Sequence, residues 1–186
     1  MEIIKAITKR RSVFPSQFKD EIVKDSTIKM LLELANLAPT HRKTEPWRFK
    51  VMTGEFKDQA GEFFKKVYLE TTEKPKKFKA KKIAEKFSQS SHVIAVCMQR
   101  DLKESVPEWE EIAATAMAVQ NIWIASAHFN IGMYWSTPNY KDRLSDLCTI
   151  NTGEKCLGFL YMGYFDEEQD LSERNSNIDS KMVWLK

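Results

Sequence analysis

Apolar residues recur along this chain first with a helical period, then in short unbroken runs. Ile3, Ile4 and Ile7 stand at helical spacing and predict a short helix ending near Arg10. Residues 12–25 contain Pro15 and no sustained period, and read as a loop. Ile28, Leu31, Leu32, Ala35 and Ala38 make one face of a second helix, capped by Asp25 or Ser26 and stopped by Pro39. A polar loop over 40–46 leads into a predicted strand over 47–53. Lysine-rich helices fill 56–88, with a break near Pro75. Residues 93–99 form a continuous apolar run with β-branched members and read as a buried strand.

The strongest local pattern comes next. Ser105 followed by Glu108 matches a capping box, with Pro107 tolerated in the first turn. Nothing breaks the helix before Phe129, and Gly132 is placed to end it. Its middle, 112–119, is apolar on nearly every side, as expected of a helix buried centrally or against a second subunit. Strands over 133–136 and 156–165 follow, with a short helix near 140–148 between them; the polar tail from Asp166 is expected to wrap elsewhere. The predicted fold class is α+β, a small, mostly antiparallel sheet flanked by helices in a single domain over 1–186. No β-α-β run carries a G-x-G-x-x-G turn, which argues against a Rossmann domain.

Composition narrows the function classes. A chain of 186 residues can bury roughly 70% of its extended surface without staples. The longest apolar run is six residues, too short to cross a bilayer, and the N-terminus lacks the apolar core of a secretory signal. Three Cys (Cys97, Cys148 and Cys156) with no C-x-x-C fit a reducing, cytoplasmic setting, Cys97 as a buried small hydrophobe. Net charge is only +3, but residues 65–86 hold nine Lys against three Glu. That stretch has aromatic neighbours but no Arg for bidentate base contacts, and reads as a solvated helical face. His41, His92 and His128 lie far apart without H-E-x-x-H, so no metal site is expected, and His92 and His128 read as structural. No G-x-S-x-G or cysteine-nucleophile signature occurs.

Two segments carry more chemistry. Arg10-Arg11-Ser12 places two guanidiniums and a hydroxyl where the chain changes direction, which suits a phosphate, although basic residues also favour helix C-termini. The loop 38–47 holds two prolines, a His, a Glu and a Trp between a helix and a strand.

Taken in order, these segments resemble the FMN-dependent nitroreductase family over nearly the whole chain. Arg10-Arg11-Ser12 looks like its N-terminal R-R-S element. Ala38-Pro39 and Glu45-Pro46-Trp47 look like its A-P-S-x-x-x-x-Q-P-W loop. The helix over 107–131 looks like its central dimer helix, Trp135-Ser136-Thr137-Pro138 its flavin-lining segment, and 158–165 its last core strand. The resemblance implies an intertwined homodimer with FMN as cofactor and NAD(P)H as electron donor. It implies reduction of nitroaromatic, quinone-like or other electrophilic small molecules by ping-pong hydride transfer through flavin N5. Arg10 and Ser12 would contact the FMN phosphate and ribityl oxygens, Arg11 would add backbone or ring-edge contacts, and Arg174 would be a second phosphate-binding residue. His41 and Glu45 would face the flavin across the dimer, and Trp135, Ser136 and Thr137 would line its ring. No catalytic side chain is named, because the cofactor carries the chemistry. Phe14 stands where many members carry Arg or Lys, and Glu45 where Gln is commoner. Thr-Glu-Pro-Trp and Ser-Thr-Pro also look like the dehalogenase branch, so a flavin-dependent reductive dehalogenase is one alternative. A non-catalytic lysine-rich binding module is another. Neither nucleic-acid nor membrane partners are expected.

Overall fold

The computed structural model describes residues 2–166 and 174–186. Four strands form one sheet: β1 (Trp47–Met52), β2 (His92–Gln99), β3 (Ile131–Ser136) and β4 (Glu154–Tyr164). Their order is β1-β2-β4-β3, and every neighbouring pair is antiparallel. Five α-helices surround it: α1 (Ile3–Lys9), α2 (Asp25–Ala35), α3 (Gly54–Thr71), α4 (Lys77–Ser88) and α5 (Glu108–Ser126).

Both faces of the sheet are covered, which is why β2 reads as an unbroken apolar run rather than an alternating one. Ile94, Val96, Leu160 and Met162 pack with Ile28 and Leu31 of α2 and with Ala118, Val119 and Ile122 of α5. Val93, Ala95, Cys97, Phe159 and Tyr161 pack with Phe64 of α3 and with Ile83 and Phe87 of α4. The sheet is therefore the middle of three layers, and α5 crosses one face.

Several boundaries differ from the sequence expectation for local reasons. The capping box does not form. Ser105 Oγ donates to Asp101 instead, Pro107 takes the cap position, and Glu108 pairs with Lys155 at 2.6 Å. The helix ends at Ser126, followed by a tight turn over Ala127–Phe129 and a left-handed Asn130. Gly132 lies inside β3, where a Cβ would come within 2.8 Å of Val13, so it permits close packing rather than ending the helix. Within one chain α5 is buried on part of its surface only. Ala114, Ala118, Val119 and Ile122 are buried, whereas Trp109 is 67% exposed and Ile112 and Met117 about 40%. Glu111 is buried in the same helix and holds Arg100 and the Asp101 amide, tying the end of β2 to α5.

Candidate functional site

The first cluster forms where α1 stops. The Arg10 guanidinium is half-buried, its central carbon 4.8 Å from the centre of the Trp123 ring on α5, a cation–π arrangement. Burial lowers its pKa from the usual arginine value, and the positive charges of Arg174 and Arg11 lower it further. The tail thus returns Arg174 to the neighbourhood of Arg10. Arg11 Nη1 donates to the carbonyls of Thr8 (2.7 Å) and Arg10 (2.6 Å), while its Nε is buried and unpartnered. Trp123 Nε1 donates to the Arg11 carbonyl at 3.2 Å. Guanidiniums this close repel one another, which is the sense of the lowered Arg10 pKa.

This corner is registered against β3. Ser12 bridges to Met133, and the Val13 amide donates to the Met133 carbonyl at 2.9 Å. Farther along β3, Trp135 Nε1 is buried without a partner. Gly158 of β4 has φ +147°, and a Cβ there would lie 2.4 Å from the Ser136 carbonyl and 2.9 Å from Trp135 Nε1. Only glycine lets β4 press this closely against Trp135 and Ser136. Thr137 follows, exposed. Phe14 packs on Tyr134 with ring centres 4.6 Å apart. Lys86 reaches the same ring from α4, its Nζ 5.2 Å from the ring centre. Burial, then the neighbouring charge of Lys82, lowers the Lys86 pKa.

The loop before β1 is the second cluster. Arg42, Lys43 and Glu45 all have left-handed φ (51°, 55° and 43°), a strained conformation for residues with a Cβ. Thr40 Oγ1 lies 3.1 Å from Thr44 Oγ1 and accepts from the Glu45 amide at 3.3 Å. Trp47 Nε1 donates to Asn36, anchoring the loop's far end. His41 Nδ1 lies 2.6 Å from Glu110 on the first turn of α5. Glu110 precedes Trp123 by 13 residues, about 20 Å along the helix.

The structure therefore brings Arg10, Arg11, Ser12 and Arg174 together and joins them through β3 to Trp135, Ser136 and Thr137. Within one chain it leaves His41 and Glu45 at the other end of α5. Sequence reasoning missed Lys86 and Glu110. Lys86 had a readable signal, since Lys79, Lys82 and Lys86 repeat at helical spacing beside buried Ile83 and Phe87. Glu110 had none, because its partner is 69 residues away.

Ser91, His92 and Asp25 form a chain that resembles a nucleophilic triad only in residue type. Ser91 Oγ is buried, accepts from the Val23 amide at 2.7 Å and lies 2.9 Å from His92 Nδ1, while His92 Nε2 meets Asp25 at 3.1 Å. The chain staples α2 to β2, so His92 is structural as expected. His128 is exposed and packs edge-on against Phe129. Among the described residues no cluster of His, Cys, Asp or Glu is suited to a metal, and no helix is long and apolar enough to cross a membrane.

Nitroreductase family sequences match residues 7–164, and the chain belongs to that family. A curated relative, "Putative NAD(P)H nitroreductase YfhC" of Bacillus subtilis (strain 168), is 28% identical over 175 residues, spanning 90% of this chain and 87% of its own. The crystal structure of a nitroreductase-like family protein from Bacillus cereus superposes with TM-score 0.84 at 26% identity, covering 100% of this chain and 97% of the other. The FMN-dependent nitroreductase NfnB of Mycobacterium smegmatis, solved with NADPH, shares the fold: TM-score 0.80 at 15% identity, covering 98% and 97% of the two chains.

Proposed function

We propose that the protein is an FMN-dependent NAD(P)H oxidoreductase reducing nitroaromatic, quinone-like or similarly electrophilic small molecules. The observation that carries this reading is the convergence of Arg10, Arg11 and Arg174, with Arg11 Nε buried and unpartnered, beside the Trp135–Ser136 end of β3. The donors fit the group. Arg10, Ser12 and Arg174 would hold its phosphate and neighbouring hydroxyls, Arg11 would add contacts beside them, Trp135, Ser136 and Thr137 would line the ring, and Lys86 would add positive charge near it. When bound, FMN would supply hydride transfer between the nicotinamide and the acceptor. The side chains position and exclude water, and none acts as an obligatory acid or base.

The active form we infer is a homodimer. Trp109, Ile112 and Met117 on α5, Ile3, Ile4 and Ile7 on α1, and Val183, Trp184 and Leu185 in the tail are exposed on one chain. So much large apolar surface is unusual on a stable monomer. Pairing α5 across a two-fold axis covers it in both copies and offers His41 and Glu45 of one copy to the flavin site of the other.

The test is flavin retention. The purified protein is expected to be yellow or to take up FMN stoichiometrically. Arg10→Ala removes one charge-assisted phosphate contact, worth about 1.5–3 kcal/mol, and should weaken FMN binding about 10- to 150-fold by fluorescence titration. Equal affinity in parent and variant would remove Arg10 from the site.

A further inference from the structure

The lysines of α4 are not all used by that reading. Lys79, Lys82 and Lys86 project from one face of the helix, and all three line a cavity of about 400 Å³ between α3, α4 and the segment after β3. Tyr68 of α3, Ser136 at the end of β3 and Tyr140 after it form its other walls. The volume falls within the range of small-molecule sites, about 300–1,000 Å³. No lining residue is acidic. On the same helix Lys81 has a carboxylate partner, Glu85, at 3.3 Å, and neither residue lines the cavity. So α4 carries an ion pair on its solvated side and turns three cations into a concave wall. A purely solvated face, as the sequence suggested, has no reason to be sorted in this way. Lys82 sits close enough to Lys86 for its charge to add to burial in lowering the Lys86 pKa. Lys79 and Lys86 are separated by about 10 Å along the helix, too far for one phosphate to satisfy both.

We propose that this cavity is an anion subsite in which Lys79 and Lys82 bind a phosphate or carboxylate carried by the molecule that docks beside Ser136. The proposal rests on the flavin reading for what lies at Ser136, but anion binding itself does not. Two sources share the chemistry: the 2′-phosphate of NADPH, which NADH lacks, and a carboxylate on the electron acceptor. Lys86, nearest Tyr134, stays with the flavin ring, while Lys79 and Lys82 read the second molecule.

Calorimetry on the purified protein tests this with two probe pairs, 2′,5′-ADP against 5′-AMP and 4-nitrobenzoate against 4-nitrobenzyl alcohol. At least one pair is expected to show about 10- to 150-fold tighter binding of the member with the extra anion, the range of a charge-assisted hydrogen bond. Which pair does so identifies the source. In the Lys79→Gln/Lys82→Gln double variant that preference should collapse, and Lys82→Arg alone should keep most of it. The preference should also weaken with added salt, as expected for partly exposed charges. No preference in either pair, or one that survives the double substitution, overturns the proposal. FMN uptake is measured on the same samples. A protein that shows the preference but takes up no flavin keeps the anion subsite and discards the flavin reading. One that takes up flavin without any anion preference does the reverse.

Discussion

Lys86 shows how helix packing brings a charge to a ring remote in sequence. Phe14 packs its phenyl on Tyr134. Lys86 arrives over the same ring from α4, half-buried and with a lowered pKa. A cation there favours the more negative, reduced state of a bound flavin. Lys86→Met should therefore shift the flavin midpoint to more negative potential by about 30–65 mV, the equivalent of about 1.5–3 kcal/mol for two electrons. Spectroelectrochemical titration reads this directly, and an unchanged midpoint would place Lys86 outside the flavin's reach. Glu154 plays a structural part. Its side chain is fully buried, with Lys50 Nζ at 2.6 Å and the Asn151 amide groups at 3.1 and 3.0 Å. Burial opposes its charge, but Lys50 and Asn151 outweigh burial and hold the pKa below the usual 4.5. A depressed carboxylate stabilises the fold above its unfolded pKa, and that contribution is lost as pH falls below about 4.5. Glu154→Gln should cost about 3 kcal/mol near neutrality, or roughly 6–12 °C in Tm, and should flatten the acid limb of Tm against pH. A variant as acid-sensitive as the parent would assign that limb to other groups.

The length of α5 matters as much as its composition. It spaces the His41–Glu110 contact and the Arg10–Trp123 contact about 20 Å apart, at opposite ends of one rod. In the homodimer proposed above, a second copy reversed by a two-fold axis would bring the two ends together. Met117, 41% exposed on this helix, lies on the face assigned to the seam. Met117→Glu would leave a charge without a partner in the seam. The expected result is loss of the dimer together with loss of FMN, followed by light scattering and flavin release on dilute protein. A 21.7 kDa species that keeps FMN would show that each chain builds its site alone. β3 has the complementary task. Gly132 and Gly158 let Val13 and β4 approach closely, which registers the Arg10–Ser12 corner and the Trp135–Ser136 end on one strand.

For the molecule as a whole, the function proposed above has donor and acceptor share one flavin face and take turns. Double-reciprocal plots at several fixed acceptor concentrations should therefore be parallel; intersecting lines would require a ternary complex and end the shared-face scheme. The order of helices and strands was legible in the chain because it depends on local period and on turn residues. The Ile3–Ile7 spacing, the run ahead of Gln99 and Pro75 between two helices each act within a few residues. The motifs at Arg10–Ser12 and around Trp135 were legible for the same reason. Boundaries set by competition were not. Asp101 takes the Ser105 hydroxyl from the capping box, and close packing with Val13 turns Gly132 from a helix stop into a strand residue. Three features needed the tertiary structure: Lys86 over Tyr134, His41 against Glu110, and the acid-free cavity that faces the α4 lysines. Each joins groups remote in sequence, whose meeting depends on how the helices pack across a sheet covered on both faces. A linear pattern records which face of a helix is apolar or charged, but the surface that face meets is fixed only when the layers close.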